Sequence, residues 1–163
     1  MLFRSTAIPP GSDGLVMLPY FCGATVPRFN PDARAAFVGL ELSHTRGHFA
    51  RSIMEAVAFN LRQSLERIGI DGVSELRIMG GGASSPLWAG IKADVVGRPL
   101  STLKEKECAA LGSALIAAVG VGAYPDIATA ASAAVRTDAV YSPSGQDYTV
   151  AYGKYLKIDK LLN

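Results

Sequence analysis

The sequence has little of what a membrane, secreted or nucleic-acid-binding protein needs. Its 163 residues contain no uninterrupted apolar run of the ~18 residues that a membrane span requires. Lysine and arginine are scattered and the formal net charge is only +2, so we expect no nucleic-acid or membrane partner. The first ten residues lack the long apolar segment of a signal peptide, and we expect a cytoplasmic location.

Cysteine and histidine are equally sparse. The two cysteines, Cys22 and Cys108, are too few for a disulfide scaffold, and we expect both to be free and buried or half-buried. His44 and His48 have a spacing that can hold a metal on a helix, but no third ligand is near them in the sequence. We therefore expect capping or surface roles for these histidines and no metal site.

The chain does have enough apolar residues for a core. Hydrophobic residues make up 49% of it and charged residues 18%, a balance that is typical of folded domains. The length suits one domain and is short for two. We expect a single domain over residues 1–163, with residues 139–163 as a peripheral C-terminal extension.

Short apolar strands alternate with helices from Leu76 onward in the pattern of an α/β domain. The longest helix is predicted from Thr45, its N-cap, to Ile68, with Gly69 as the C-cap. The most apolar segment, residues 109–121, is predicted as a buried helix. The apolar stripe of the longest helix is predicted to consist of Phe49, Ile53, Ala56, Val57, Leu61, Leu65 and Ile68. Other strands are predicted near residues 15–21, 35–40, 76–79 and 99–103, a strand or extended link at 139–143, and helices near 85–97, 127–134 and 148–162.

The strongest local feature is a strand, three glycines and a capped helix between Ile78 and Trp88. Glycines let a phosphate or ribose approach the backbone without meeting a side chain. The start of a helix offers free N–H groups and the positive end of a dipole to an anion. Ser85 is predicted as the N-cap and Pro86 as the first helical residue. An ordinary tight turn has the same pattern, so the residues by themselves leave both interpretations open.

Several further segments have a specific order and spacing when they are taken together. They are residues 18–20, 30–34 with 39–40, 42–46 with 55–59, 80–88 with 93–100, and 109–114. In these segments the chain resembles the FGGY carbohydrate kinases, most of all their xylulokinase branch, with gluconate and glycerol kinases next. The resemblance extends from Asp13 to Gly122.

The resemblance implies a ribonuclease-H-like, actin-like ATPase lobe, the C-terminal one of two, that is incomplete at its N-terminal side. It implies ATP and Mg²⁺ as cofactors, and a small sugar, D-xylulose by the nearest branch, as the phosphate acceptor. Residues 109–114 would lie where the two lobes hinge. The implied lining of the ATP pocket is Gly80, Gly81, Gly82 and Ala83, with Ser84 and Ser85 near the adenosine.

The family's catalytic base is an aspartate of the first lobe, and none of the eight aspartates here corresponds to it. We therefore name no catalytic residue and expect the chain alone to be inactive. Asp94 belongs to the motif after the glycines and is expected to be structural. The loop from Gly23 to Pro27 lacks the Gly-Glu-Arg that many relatives have, which leaves the sugar open.

Two other residues in these segments are expected to have packing roles. Glu55 lies among apolar neighbours and is expected to pair with a buried arginine. Trp88 is expected to pack its helix against the sheet rather than to stack on adenine.

Two alternatives remain beside the kinase interpretation. One is a non-catalytic module that binds nucleotide weakly or self-associates through an exposed sheet edge, and for this reason we expect a homo-oligomer. The other is a dinucleotide-binding domain in which Glu105 or Glu107 binds the ribose. Three contiguous glycines do not give the G-x-G-x-x-G spacing, so this alternative is the more distant one.

Overall fold

The structure is a computed structural model that describes residues 7–163. Strands and helices are mixed along the chain, so the predicted α/β class is confirmed. The elements are, in chain order, β1 (Val16–Leu18), β2 (Ala36–Val38), α1 (Arg46–Ile68), β3 (Leu76–Ile78), α2 (Pro86–Val96), β4 (Leu100–Leu103), α3 (Cys108–Gly120), α4 (Ile127–Ala134), β5 (Thr137–Tyr141) and α5 (Thr149–Leu162).

The strands form two small sheets. β1 and β2 are antiparallel, with Val16 opposite Val38. In the second sheet β4 is central, parallel to β3 and antiparallel to β5. Within residues 7–163, β3 therefore has a neighbouring strand on one side only. The chain leaves the carboxyl end of β3 and then enters α2. The segment between β3 and α2 therefore lies at the edge of the sheet where β3 ends.

The start of α1 confirms the capping role that was predicted for its first residues. The Thr45 side chain accepts a hydrogen bond from the Gly47 N–H, and the Thr45 N–H donates to Nδ1 of His48 at 3.0 Å. Nε2 of His48 in turn lies 2.9 Å from Oδ2 of Asp13. Gly69 ends the helix with a φ of 76°, as predicted.

The core lies where α1, α2 and α5 meet β1. The ring of Phe59 on α1 lies 6.0, 5.7 and 5.4 Å from those of Tyr148, Tyr152 and Tyr155. All four side chains are buried in one apolar cluster. The prediction that the C-terminal helix is peripheral was therefore wrong, because its tyrosines recur at helical spacing and turn one aromatic face toward Phe59.

The burial predicted for two other helices was also partly wrong. Ile53 and Ile68 of the predicted apolar stripe are exposed on α1. The expected pairing of Glu55 with a buried arginine is confirmed, because Arg51 and Glu55 are both buried under the turn at residues 11–14. No residue of α3 is buried in the described structure, and its Ile116 is 68% exposed. Among the helices of residues 7–163, none combines the length and the apolarity that a membrane crossing requires.

Both cysteines are free, as predicted, but only one has the predicted burial. Cys108 is half-buried at the start of α3, whereas Cys22 is exposed in the loop after β1. That loop carries other exposed apolar side chains, including Phe21 and Phe29. The exposure of Cys22 follows from its place in a surface loop.

Candidate functional site

The glycine segment forms a tight turn between the end of β3 and the start of α2. Gly80 has φ 76° and ψ −171°, a conformation that in practice only glycine adopts. The Ala83 N–H donates to the Gly80 carbonyl at 2.9 Å, and the Ser84 N–H donates to the Gly81 carbonyl at 3.2 Å. These bonds close a single turn of 3₁₀ helix over Gly81–Ala83. We call residues 80–85 the glycine turn.

The six predicted site residues lie in this one segment with different exposures. Gly80, Gly81 and Ser84 are exposed, Gly82 and Ser85 are half-buried, and Ala83 is buried. A Cβ atom added at Gly81 would meet no atom within 4 Å, so the space outside the turn is open. A Cβ atom added at Gly82 would lie 3.1 Å from Nζ of Lys92. The turn thus has an open outer side at Gly81 and a packed inner side at Gly82.

The start of α2 confirms the predicted caps. The Ser85 Oγ accepts a hydrogen bond from the Trp88 N–H at 3.3 Å, and Pro86 is the first helical residue. The N–H groups of Gly81 and Gly82 have no acceptor in the described part of the chain. Free amide donors beside the positive end of a helix dipole are the arrangement that stabilises a bound anion.

Lys92 and Trp88 of α2 lie beneath the turn. Nζ of Lys92 donates to the Gly82 carbonyl at 3.0 Å and lies 4.4 Å from the centre of the Trp88 ring. Burial lowers the pKa of Lys92. Lys92 was not among the residues predicted from the sequence, although its place between the apolar residues Ile91 and Ala93 was a signal for it.

Trp88 has the expected packing role. Its indole Nε1–H donates to the Met54 carbonyl at 3.0 Å and ties α2 to α1, and its ring packs against the core cluster that includes Val16 and Leu18 of β1. Asp94, on the same helix, accepts hydrogen bonds from the backbone N–H and the hydroxyl of Ser144. Asp94 therefore ties α2 to the segment after β5, in agreement with the structural role expected for it.

The residues fit a nucleotide better than they fit a directly bound metal. The glycine turn presents amide donors and an open surface to an anion. Across residues 7–163, no three histidine, cysteine, aspartate or glutamate side chains converge in a way that would hold a metal ion. Backbone amide donors of this kind suit phosphate oxygens.

Comparison with known proteins gives the class of this fold. Residues 1–121 match the C-terminal domain of the FGGY family of carbohydrate kinases. The chain belongs to this family, and the lobe predicted from the sequence, with its actin-like ATPase fold, is confirmed. This membership also removes the dinucleotide-binding alternative that relied on Glu105 or Glu107.

Individual relatives include both xylulose and glycerol kinases. The xylulose kinase of Bacillus subtilis (strain 168) is 32% identical over 143 residues, which is 86% of this chain and 29% of that protein. The glycerol kinase of Ralstonia pickettii (strain 12J) is 38% identical over 125 residues, which is 75% of this chain and 25% of that protein. A ligand-bound xylulose kinase from Lactobacillus acidophilus matches with a TM-score of 0.85 and 26% identity, covering 99% of this chain and 34% of the other. The chain thus spans roughly a quarter to a third of these relatives' lengths.

Proposed function

We propose that this chain is the nucleotide-binding C-terminal part of an ATP-dependent carbohydrate kinase. The observation that carries the proposal is the glycine turn, which is open above Gly81 and offers free N–H groups at the start of α2. It follows the carboxyl end of β3, where open α/β sheets bind their ligands. Membership of a family of sugar kinases supplies the reaction class.

In this proposal the chain binds and orients ATP. Gly80, Gly81, Gly82 and Ala83 line the site of the phosphates, and Ser84 and Ser85 lie near the adenosine. Mg²⁺, when bound with ATP, neutralises charge on the phosphates. The catalytic base belongs to the part of the kinase that this chain does not span, so the chain alone is expected to be inactive.

The proposed acceptor is a sugar hydroxyl, with D-xylulose as the first candidate. Xylulose kinases among the relatives support this choice. Glycerol kinases match at similar identity, so the finer assignment depends on an assay of the full-length kinase with D-xylulose, glycerol and gluconate. We place this kinase in the cytoplasm, where ATP and these sugars are available.

Calorimetric titration of the chain with ADP and Mg²⁺ tests the nucleotide site, with NAD as a parallel ligand. Gly81→Val puts a side chain into the open space and is expected to weaken ADP binding at least about tenfold, or 1.4 kcal/mol. Gly72→Val is the matched control, because it is an equally open glycine in the turn before β3. Equal ADP affinity in the two variants would contradict the placement of the nucleotide, and binding of NAD in place of ADP would contradict the ligand.

Self-association is the second candidate function, and two exposed features favour it. β3 has an unpaired edge within residues 7–163, and α3 exposes Ile116 while Val121 beyond its end is 82% exposed. We expect a homo-oligomer. Light scattering over a range of concentrations checks this, and a monomer at the highest concentration would contradict it.

A further inference from the structure

Lys92 is a buried cation without an acidic partner. Its side chain lies on α2 and the residue is 8% exposed, between Ile91 and Ala93, which are both buried. No carboxylate pairs with it in the described part of the chain. Lysines are almost never buried this far unless they are paired, because removing the ammonium from water costs free energy. The burial of Lys92 therefore indicates a functional role for this residue, one that offsets the free energy lost on burying its charge.

The contacts of Lys92 connect the glycine turn to the longest helix of the fold. Nζ donates to the Gly82 carbonyl at 3.0 Å and lies over the Trp88 ring. Trp88 is itself fixed by its hydrogen bond to the Met54 carbonyl of α1. A continuous stack of contacts thus runs from the α1 backbone, through two α2 side chains, to the inner side of the turn.

The direction of the Gly82 carbonyl matters for any anion at the turn. A carbonyl that faces the ligand presents its negative end to the phosphates, whereas one held inward does not. Glycine has no side chain that resists rotation of the neighbouring peptides, so three glycines in a row leave the turn free to change conformation. Within residues 7–163, the bond from Lys92 is the one side-chain hydrogen bond to the Gly82 carbonyl, and it holds that carbonyl inward.

We propose that Lys92 is a positioning residue of the nucleotide site, which keeps the glycine turn in the conformation that accepts the diphosphate of ADP or ATP. The ammonium fixes the Gly82 carbonyl away from the ligand, and its positive charge lies beneath the site of the phosphates. The burial that lowers the pKa of Lys92 also weakens screening of this charge by water. This inference rests on the proposed function, and it adds a residue that does not touch the ligand.

Two variants of the chain test the role. Lys92→Met keeps the length of the side chain and its contact with Trp88 but removes the charge and the donor. Lys92→Arg keeps both and is expected to restore most of what the first variant loses. Because Trp88 is the single tryptophan, its fluorescence reports directly whether the packing beneath the turn persists in each variant.

The first measurement is amide hydrogen exchange by NMR without any nucleotide. The Ala83 and Ser84 N–H groups close the glycine turn, and Gly69 N–H, bonded to the Leu65 carbonyl at the far end of α1, serves as the reference. We expect exchange at Ala83 and Ser84 to be several-fold faster in Lys92→Met than in the wild type, and Gly69 to be unchanged. Unchanged exchange at the turn would overturn the proposal, even if ADP binds normally.

The second measurement is binding of ADP and of adenosine by calorimetry. Lys92→Met is expected to weaken ADP binding about tenfold and to change adenosine binding far less, with recovery in Lys92→Arg. Equal losses for both ligands would show a merely structural role and overturn the proposal. Faster exchange with unchanged ADP affinity would also overturn it. If wild-type chain binds no ADP, the proposed function fails, and the exchange rates still decide whether Lys92 holds the turn.

Discussion

The guanidinium of Arg51 donates to the carboxylate of Glu55, one turn further along α1, at 2.8 Å, and both side chains are at least 96% buried. The same carboxylate accepts hydrogen bonds from the Gly11 N–H at 3.0 Å and from the Ser12 hydroxyl at 2.7 Å. Ser12 has a φ of 50°, which is unusual outside glycine. Glu55 therefore holds the strained turn before β1 on the surface of α1.

Removal of the Glu55 carboxylate should strongly destabilise the chain. Glu55→Ala leaves a buried arginine and the Gly11 N–H without this acceptor, and we expect a loss of about 3–5 kcal/mol in the free energy of unfolding. Urea unfolding measures it. Glu75→Ala is the control, because it breaks the exposed pair with Arg77 and should leave the midpoint nearly unchanged. Similar midpoints for the two variants would contradict the network.

Two neighbouring glycines of the turn should respond differently to the same substitution. Gly80→Ala forces a side chain into a left-handed φ of 76° and should cost about 1–3 kcal/mol of stability. Gly81→Ala has no positive φ and open space around the new Cβ, so its stability should match that of the wild type. Thermal unfolding of the pair checks this. A less stable Gly81→Ala would mean that the turn is not open as described.

Of the two serines that follow the glycines, only Ser85 caps a helix, and the two should therefore differ in their contribution to stability. Ser85→Ala removes the acceptor of the Trp88 N–H and should cost about 1 kcal/mol of stability. Ser84 is exposed, its side chain makes no hydrogen bond in the described structure, and Ser84→Ala should be neutral. Denaturant unfolding of both variants gives the comparison. Equal stabilities would contradict the capping role of Ser85.

Local sequence signals predicted most of the secondary structure because the residues that start and end the elements act within their own segment of the chain, on backbone groups a few residues away. Thr45 and Ser85 cap their helices with side-chain oxygens, and Gly69 and Gly97 end them with φ values of 76° and 70°, at the positions that the sequence indicated. The existence of the glycine turn followed from the same kind of signal. Its place in the family followed from the order of the motifs.

Burial was predicted less well because it depends on which element covers which. The α1 periodicity predicted one apolar stripe, but two of its residues, Ile53 and Ile68, are exposed because no element of residues 7–163 covers them. α3 is the most apolar segment, yet none of its residues is buried. Lys92 was missed for the same reason, since its buried contact with Gly82 depends on tertiary packing rather than on sequence pattern.

The tyrosines around Phe59 should make the chain sensitive to alkaline pH. Burial raises the pKa of Tyr148 to about 12, and it also raises the pKa values of Tyr152 and Tyr155 above the ordinary value near 10. The folded state therefore favours the neutral phenols. The stability that depends on them is fully present below pH ~10, where the unfolded tyrosines are neutral too, and is lost as the pH rises through the folded values.

A pH titration that follows tyrosinate absorbance and circular dichroism together checks this expectation. We expect the absorbance of the core tyrosines to appear only as the helical signal disappears, in one cooperative step above pH ~10. Tyr155→Phe keeps the ring in the cluster but removes a hydroxyl that lies 3.2 Å from that of Tyr20, so it should lower the amplitude of this step by one tyrosinate. Full ionisation of all six tyrosines while the helical signal persists would mean that the α5 tyrosines do not pack against Phe59 in solution.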